Sequence, residues 1–215
     1  MTTIFNSSAA PVSALLLEIS AIKLSPTEPF TWSSGWKSPV YCDNRLALSY
    51  PEKRTYIKKA LVEAIRHHFP GVESIAGVAT AGIAQGALVA ESLELPFLYV
   101  RPKPKDHGMQ NLIEGRIVKN QKVVLIEDLV STGGSSIKAA EALRDAGFEV
   151  IGMVAIFTYG FETATNNFEA ARIPLVCLSD FNHLLQEAVR LKYMDAGQME
   201  FVSQWRKDPG NWGKS

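Results

Sequence analysis

The sequence predicts an α/β fold: a parallel sheet flanked by helices, with a small hood built from the N-terminal part. Three observations carry this. From Ser74 onward, short apolar runs alternate with helical stretches, as in successive β-α units. One of these runs, Val123-Val124-Leu125-Ile126, has no polar interruption, as expected of a strand buried on both faces. Before Ser74 the pattern differs. Ser34-Gly35-Trp36-Lys37-Ser38-Pro39 is turn chemistry between short strand-like pieces, which reads as a hairpin within Phe30–Arg45.

Taken in order, residues 1–9 show no periodic pattern and are expected to be frayed. Val12, Leu15, Leu16 and Ile19 form one apolar helical face. After the hairpin, Ile57, Leu61, Ala64 and Ile65 predict a helix over Pro51–Phe69, with Pro51 suited to its first turn. His67 and His68 end it, where their charge suits the helix dipole better than a metal site. Ser74–Ala79 is the first predicted core strand, Thr80-Ala81-Gly82 its exit turn and Ile83–Leu93 a helix. Phe97–Val100 is the next strand. Arg101–Ile117 holds two prolines and two glycines and is too broken for a helix. Its length fits a lid better than a connection. Later strands are predicted at Val150–Phe157 and Leu175–Leu178, with a helix over Phe161–Ala171. Asp180 is a suitable N-cap for a helix carrying Leu184, Leu185, Ala188 and Val189. His183 has no evident partner in the sequence. Trp205 and Trp212 in the tail are expected to dock onto the body.

The 215 residues suffice for one domain, 1–215, with a core over about 70–195 and a hood over mainly 10–50 plus the C-terminal tail. Lys plus Arg and Asp plus Glu both number 22, so no global field attracts nucleic acid, and any anion site is local. Two cysteines, Cys42 and Cys177, suggest no disulfide framework and a reducing, cytoplasmic setting. No apolar run reaches membrane-spanning length, so no membrane role is expected.

The chemistry concentrates in Lys122–Ser136, KVVLIEDLVSTGGSS. An apolar strand leads to Glu127 and Asp128, then to Leu129, Val130 and a turn of Ser131, Thr132, Gly133, Gly134 and Ser135, and then to a helix. In open α/β sheets this carboxyl edge is where ligands bind. The glycines permit backbone conformations closed to other residues. Their amides, with those of the helix N-terminus, can converge on one anion. The carboxylates cannot share that anion. They suit sugar hydroxyls or a bound cation. A phosphorylated sugar answers both demands. An ordinary βα turn with an exposed acidic pair would contain the same residue types, but not in this functional order. The glycines are not followed by the Lys-Ser/Thr of a P-loop, and no strand ends in GxGxxG.

EDLVSTGGSS resembles the phosphoribosyl-pyrophosphate motif of the type I phosphoribosyltransferases, in the form used by members that act on orotate. The resemblance implies that family's fold. It also implies transfer of ribose 5-phosphate from 5-phosphoribosyl 1-diphosphate to orotate, in pyrimidine biosynthesis, by a magnesium-dependent homodimer. The metal would be held mainly by the donor, not directly by protein side chains. Arg101, Lys105 and His107 fall on the family's mobile catalytic loop, with Asp106 and Gly108. They would meet the leaving pyrophosphate, and Arg101 would be shared across subunits. Glu127 and Asp128 would hold the ribose, Asp128 being catalytic with Lys105 and His107. Leu129 to Ser135 would hold the 5′-phosphate. Ser131, Tyr41 and Cys42 would lie at the orotate ring.

This sequence departs from the family pattern in four places. Ser33 stands where relatives carry a lysine, and Thr80-Ala81 replaces a Tyr-Lys pair. Pro102 replaces a second lysine, and the first arginine after Val150 is Arg172. Three other readings fit the same residues: a transferase for another base, a non-catalytic sensor of the sugar phosphate, and a nucleotide-binding protein without ribosyl chemistry.

Overall fold

The computed structural model describes residues 2–32, 35–103 and 112–212. Among them, a seven-stranded sheet runs in the order β1-β11-β10-β9-β6-β7-β8. Its strands are β1 (Thr2–Ile4), β6 (Ser74–Val78), β7 (Phe97–Val100), β8 (Ile113–Glu114), β9 (Lys122–Val130), β10 (Glu149–Thr158) and β11 (Leu175–Asp180). Neighbours pair in parallel except β7 and β8, which are antiparallel. The predicted parallel α/β sheet is present, with one antiparallel edge.

The helices are α1 (Asn6–Glu18), α2 (Pro51–His68), α3 (Ala81–Leu93), α4 (Gly134–Asp145), α5 (Glu162–Ala170), α6 (Phe181–Arg190) and α7 (Ala196–Lys207). They cover both faces. Val123 and Leu125 belong to an apolar core with residues of α4 and α5, whereas Val124 and Ile126 join the core with α1, α2, α6 and α7. This is the two-residue period of a strand, and it explains why β9 shows no polar alternation. Gly82 brings α3 against the sheet: a Cβ there would land on the carbonyl oxygen of Ile126.

The hood contains two short ribbons. β2 (Ile22–Leu24) pairs with β5 (Val40–Cys42), and β3 (Phe30–Thr31) with β4 (Lys37–Ser38). Lys37 and Ser38, read as turn residues, are therefore strand. A 3₁₀ turn over Asn44–Ser49 leads into α2. Trp205 of α7 is fully buried against Trp32, Tyr159, Phe161 and Phe181, and its indole Nε1 donates to the Lys37 carbonyl at 3.1 Å. Tail and hood are thus joined, and Trp212 packs on Phe201.

Other expectations need correction. Residues 2–4 are not frayed. They extend the sheet in parallel beside β11, with Thr3 opposite Val176, and α1 starts at Asn6. The segment after β7 is not wholly a loop, because Ile113–Glu114 returns alongside Tyr99 and Val100. α3 begins at Ala81, two residues inside the predicted turn. His183 does have a partner: its Nδ1 lies 2.8 Å from Oδ1 of Asp180, the residue that caps α6.

Candidate active site

The phosphate-loop candidate sits at the carboxyl end of β9. Gly133 has φ +83°, and a Cβ there would meet the Phe168 ring at 2.7 Å, so the position requires glycine on both counts. Gly134 opens α4 and faces no heavy atom within 4 Å of where a Cβ would stand, so the turn is open on that side. Asn167 Nδ2 donates to the Thr132 carbonyl at 3.0 Å, fixing the turn from α5. Gly134 and Ser135 share a cavity of about 630 Å³ with Ala79, Arg101 and Pro102. The structure therefore brings Arg101 to the same edge as the loop. Its guanidinium lies 3.5 Å from Glu114. Lys105 and His107, with Ser33, lie outside the described residues.

The acidic pair is not at the strand terminus, because β9 continues to Val130. The two carboxyl groups stay close enough to hydrogen-bond to each other, but they differ in their surroundings. Glu127 turns toward α4 and is buried. Its Oε2 accepts from Ser136 Oγ at 2.9 Å and its Oε1 from the Asp128 amide at 3.0 Å. Burial, then the charge of Asp128, pushes its carboxyl up to about 8. Asp128 is half-buried and is also pushed upward, by burial. On its side Asn44, itself buried, donates through Nδ2 to the Asp128 carbonyl. Of the two acids expected to hold the ribose, only Asp128 is partly accessible. Glu127 is internally committed.

The hood and the loop enclose a second cavity, of about 600 Å³. Tyr41, Cys42 and Ser131, the residues expected at the base, line it together, and Thr132, expected at the phosphate, lines it as well. Trp32, Trp36 and Tyr159 supply flat apolar walls, with the two tryptophan rings stacked at 6.4 Å. Burial and the charge of Asp128 push the Cys42 thiol up, which excludes it as a thiolate nucleophile at neutral pH. Burial likewise raises Tyr159, leaving it a neutral wall.

Sequence reasoning missed Asn44, Ser136 and Tyr159. Ser136 sits one residue beyond the turn and carried a findable signal, being a hydroxyl in the first turn of a helix beside an acidic strand. Asn44 and Tyr159 had none. Their roles depend on contacts across 84 residues in one case and on the hood's placement in the other.

A mostly parallel sheet with a glycine-bearing turn at its carboxyl edge, and an aromatic-walled cavity abutting that turn, is the arrangement expected of a glycosyl-transferring α/β enzyme. Residues 55–180 match the family model described as a phosphoribosyl transferase domain, and the chain belongs to that family. Within it the chain groups with the orotate phosphoribosyltransferases. That of Cytophaga hutchinsonii is 59% identical over 203 residues, spanning 94% of this chain and 97% of that protein. That of Porphyromonas gingivalis is 56% identical over 202 residues, spanning 94% and 96%. Among solved structures, orotate phosphoribosyltransferase from Aeropyrum pernix superposes with a TM-score of 0.74 at 28% identity, covering 85% of this chain and 99% of that one.

Proposed function

We infer that the chain transfers ribose 5-phosphate from 5-phosphoribosyl 1-diphosphate to orotate, giving orotidine 5′-monophosphate and diphosphate. The observation that carries this is the shared wall: Ser131 and Thr132 of the phosphate turn also line the base cavity. A sugar phosphate anchored by the turn therefore presents its anomeric carbon toward the base. The C–N bond forms as the C–O bond to pyrophosphate breaks, through an oxocarbenium-like state.

Charge placement dominates such a reaction. Asp128 lies beside the ring as its positive charge grows. Glu127 serves by bracing the strand through Ser136. Arg101, Lys105 and His107 meet the departing pyrophosphate. Magnesium, when bound, would be held mainly by the donor and would supply further positive charge there. Among the described residues of β9, the acids are the partly accessible Asp128 and the committed Glu127, a donor set that fits an ion with few protein ligands.

One domain comprising hood, core and tail accords with an apolar core that includes Ile22, Val124 and Trp205 together. A homodimer is supported by a groove of Leu48, Ala84, Ala87 and Leu88 flanked by Arg54 and Glu91, with Leu46, Tyr50 and Tyr56 exposed near Leu48 in sequence. Mixing Arg101→Ala with Asp128→Asn chains tests the shared arginine: recovered activity is expected if each subunit lends Arg101 to its neighbour, and none if it does not. The two unpaired cysteines accord with a cytoplasmic setting.

The deciding assay is loss of orotate absorbance when 5-phosphoribosyl 1-diphosphate and magnesium are added. Donor-dependent loss is expected, abolished by a chelator. Binding of the donor without turnover would make the chain a sensor instead.

A further inference from the structure

This inference rests on orotate being the acceptor. Orotate differs from uracil by a ring carboxylate, and a carboxylate bound away from bulk water calls for a cation or several donors. Yet no lysine or arginine lines the base cavity among the described residues.

Lys37 stands at its rim. It is directly opposite Thr31 in the β3–β4 pair, and directly opposed residues share a face. Thr31 lines the cavity, and the Lys37 ammonium donates to Thr31 Oγ1 at 2.8 Å. The charge therefore sits one hydroxyl from the cavity wall. Its backbone is fixed. The Lys37 carbonyl accepts from buried Trp205, and the adjacent Ser38, fully buried, donates through Oγ to the Val40 carbonyl at 2.8 Å. The side chain beyond that root is exposed and forms no ion pair among the described residues.

Two other nearby cations are engaged elsewhere, and exposed Lys23 stands opposite Tyr41 in the β2–β5 pair. Arg45 is held by Asp43 at 2.7 and 3.0 Å. Arg206 lies over the Phe181 ring at 5.9 Å and lines a neighbouring cavity.

We propose that Lys37 determines acceptor specificity by pairing with the carboxylate of the base, so that orotate is chosen over its uncharged counterpart. A fixed root with an ammonium held by one neutral hydroxyl suits this. Moving from Thr31 Oγ1 to the ligand needs only side-chain rotation.

The test is steady-state kinetics of Lys37→Met and Lys37→Arg beside the wild type. Loss of one charge-assisted contact predicts an orotate KM raised roughly ten- to hundred-fold in Lys37→Met. The KM for 5-phosphoribosyl 1-diphosphate and kcat should change little, which marks lost ground-state binding. Lys37→Arg should restore most of the affinity. Lys23 supplies the control variant, Lys23→Met, whose orotate KM should stay near the wild-type value. Orotate KM should rise with salt in the wild type and less so in Lys37→Met. An orotate KM unchanged in Lys37→Met, or equal rises for both substrates, would overturn the proposal. Thermal melting separates misfolding from lost recognition, and Lys37→Gln serves if the methionine variant is unstable. A wild-type protein that consumes no orotate would instead overturn the acceptor assignment, and that result is read before any variant is made.

Discussion

The side-chain amide of Asn44 donates to the main-chain carbonyl of Asp128 at 2.6 Å, joining the hood to the acidic strand. Asn44 also takes a 3.3 Å contact through Oδ1 from the Cys42 thiol, which lines the base cavity. One buried side chain thus links the cavity wall at Cys42 to the acidic strand. Asn44→Ala removes a partner from two part-buried polar groups, at a cost of about 1 kcal/mol. A melting temperature lower by several degrees, with a fall in kcat/KM for both substrates, is expected. Calorimetry and initial rates check it. An unchanged melting temperature would show the contact to be dispensable.

Glu127 gives the ligand-free protein a distinctive pH response. Its folded-state carboxyl titrates near 8 against an ordinary value of 4.5. Between those values the native state binds more protons than the unfolded chain, so stability falls as pH rises. The contribution is complete below the unfolded value and gone above about 8, and it is on the order of a few kcal/mol. Glu127→Gln should flatten this decline. Urea unfolding of both proteins between the two limits reads the difference directly, and parallel curves would refute the assignment.

The two glycines of the turn should behave differently. Gly133→Ala forces a side chain into a left-handed backbone and into Phe168, costing about 1–3 kcal/mol. Gly134→Ala meets no protein atom, so stability should hold. If the phosphate occupies that open side, the added methyl should still raise the donor KM. Intact donor affinity in Gly134→Ala would place the phosphate elsewhere.

Lys105→Ala should lower turnover by on the order of 10²–10³, as for loss of one preorganised electrostatic contact. Orotate binding should change far less. Stopped-flow rates and equilibrium titration separate the two, and equal losses would make Lys105 a general binding residue.

Much of this was legible in the chain. β9, its turn and α4 follow from an unbroken apolar run and two glycines, signals that act within a few residues. β1 and β8 were not legible. They have three and two residues, and their extended form comes from pairing with β11 and β7, not from any periodicity of their own. Site residues were legible where a motif names them and obscure where tertiary contact does. Tyr41, Cys42 and Ser131 meet as expected, while Glu127 is buried against α4 through Ser136, a contact no motif announces.

Trp205 has a consequence for how this protein can change. Its indole is wedged among hood aromatics and grips the strand bearing Lys37. A substitution at 205 is therefore felt at the mouth of the base site, and a substitution at 32 is felt in the tail. Lineages that keep the fold should alter such positions in concert, the tail and the hood drifting as one unit.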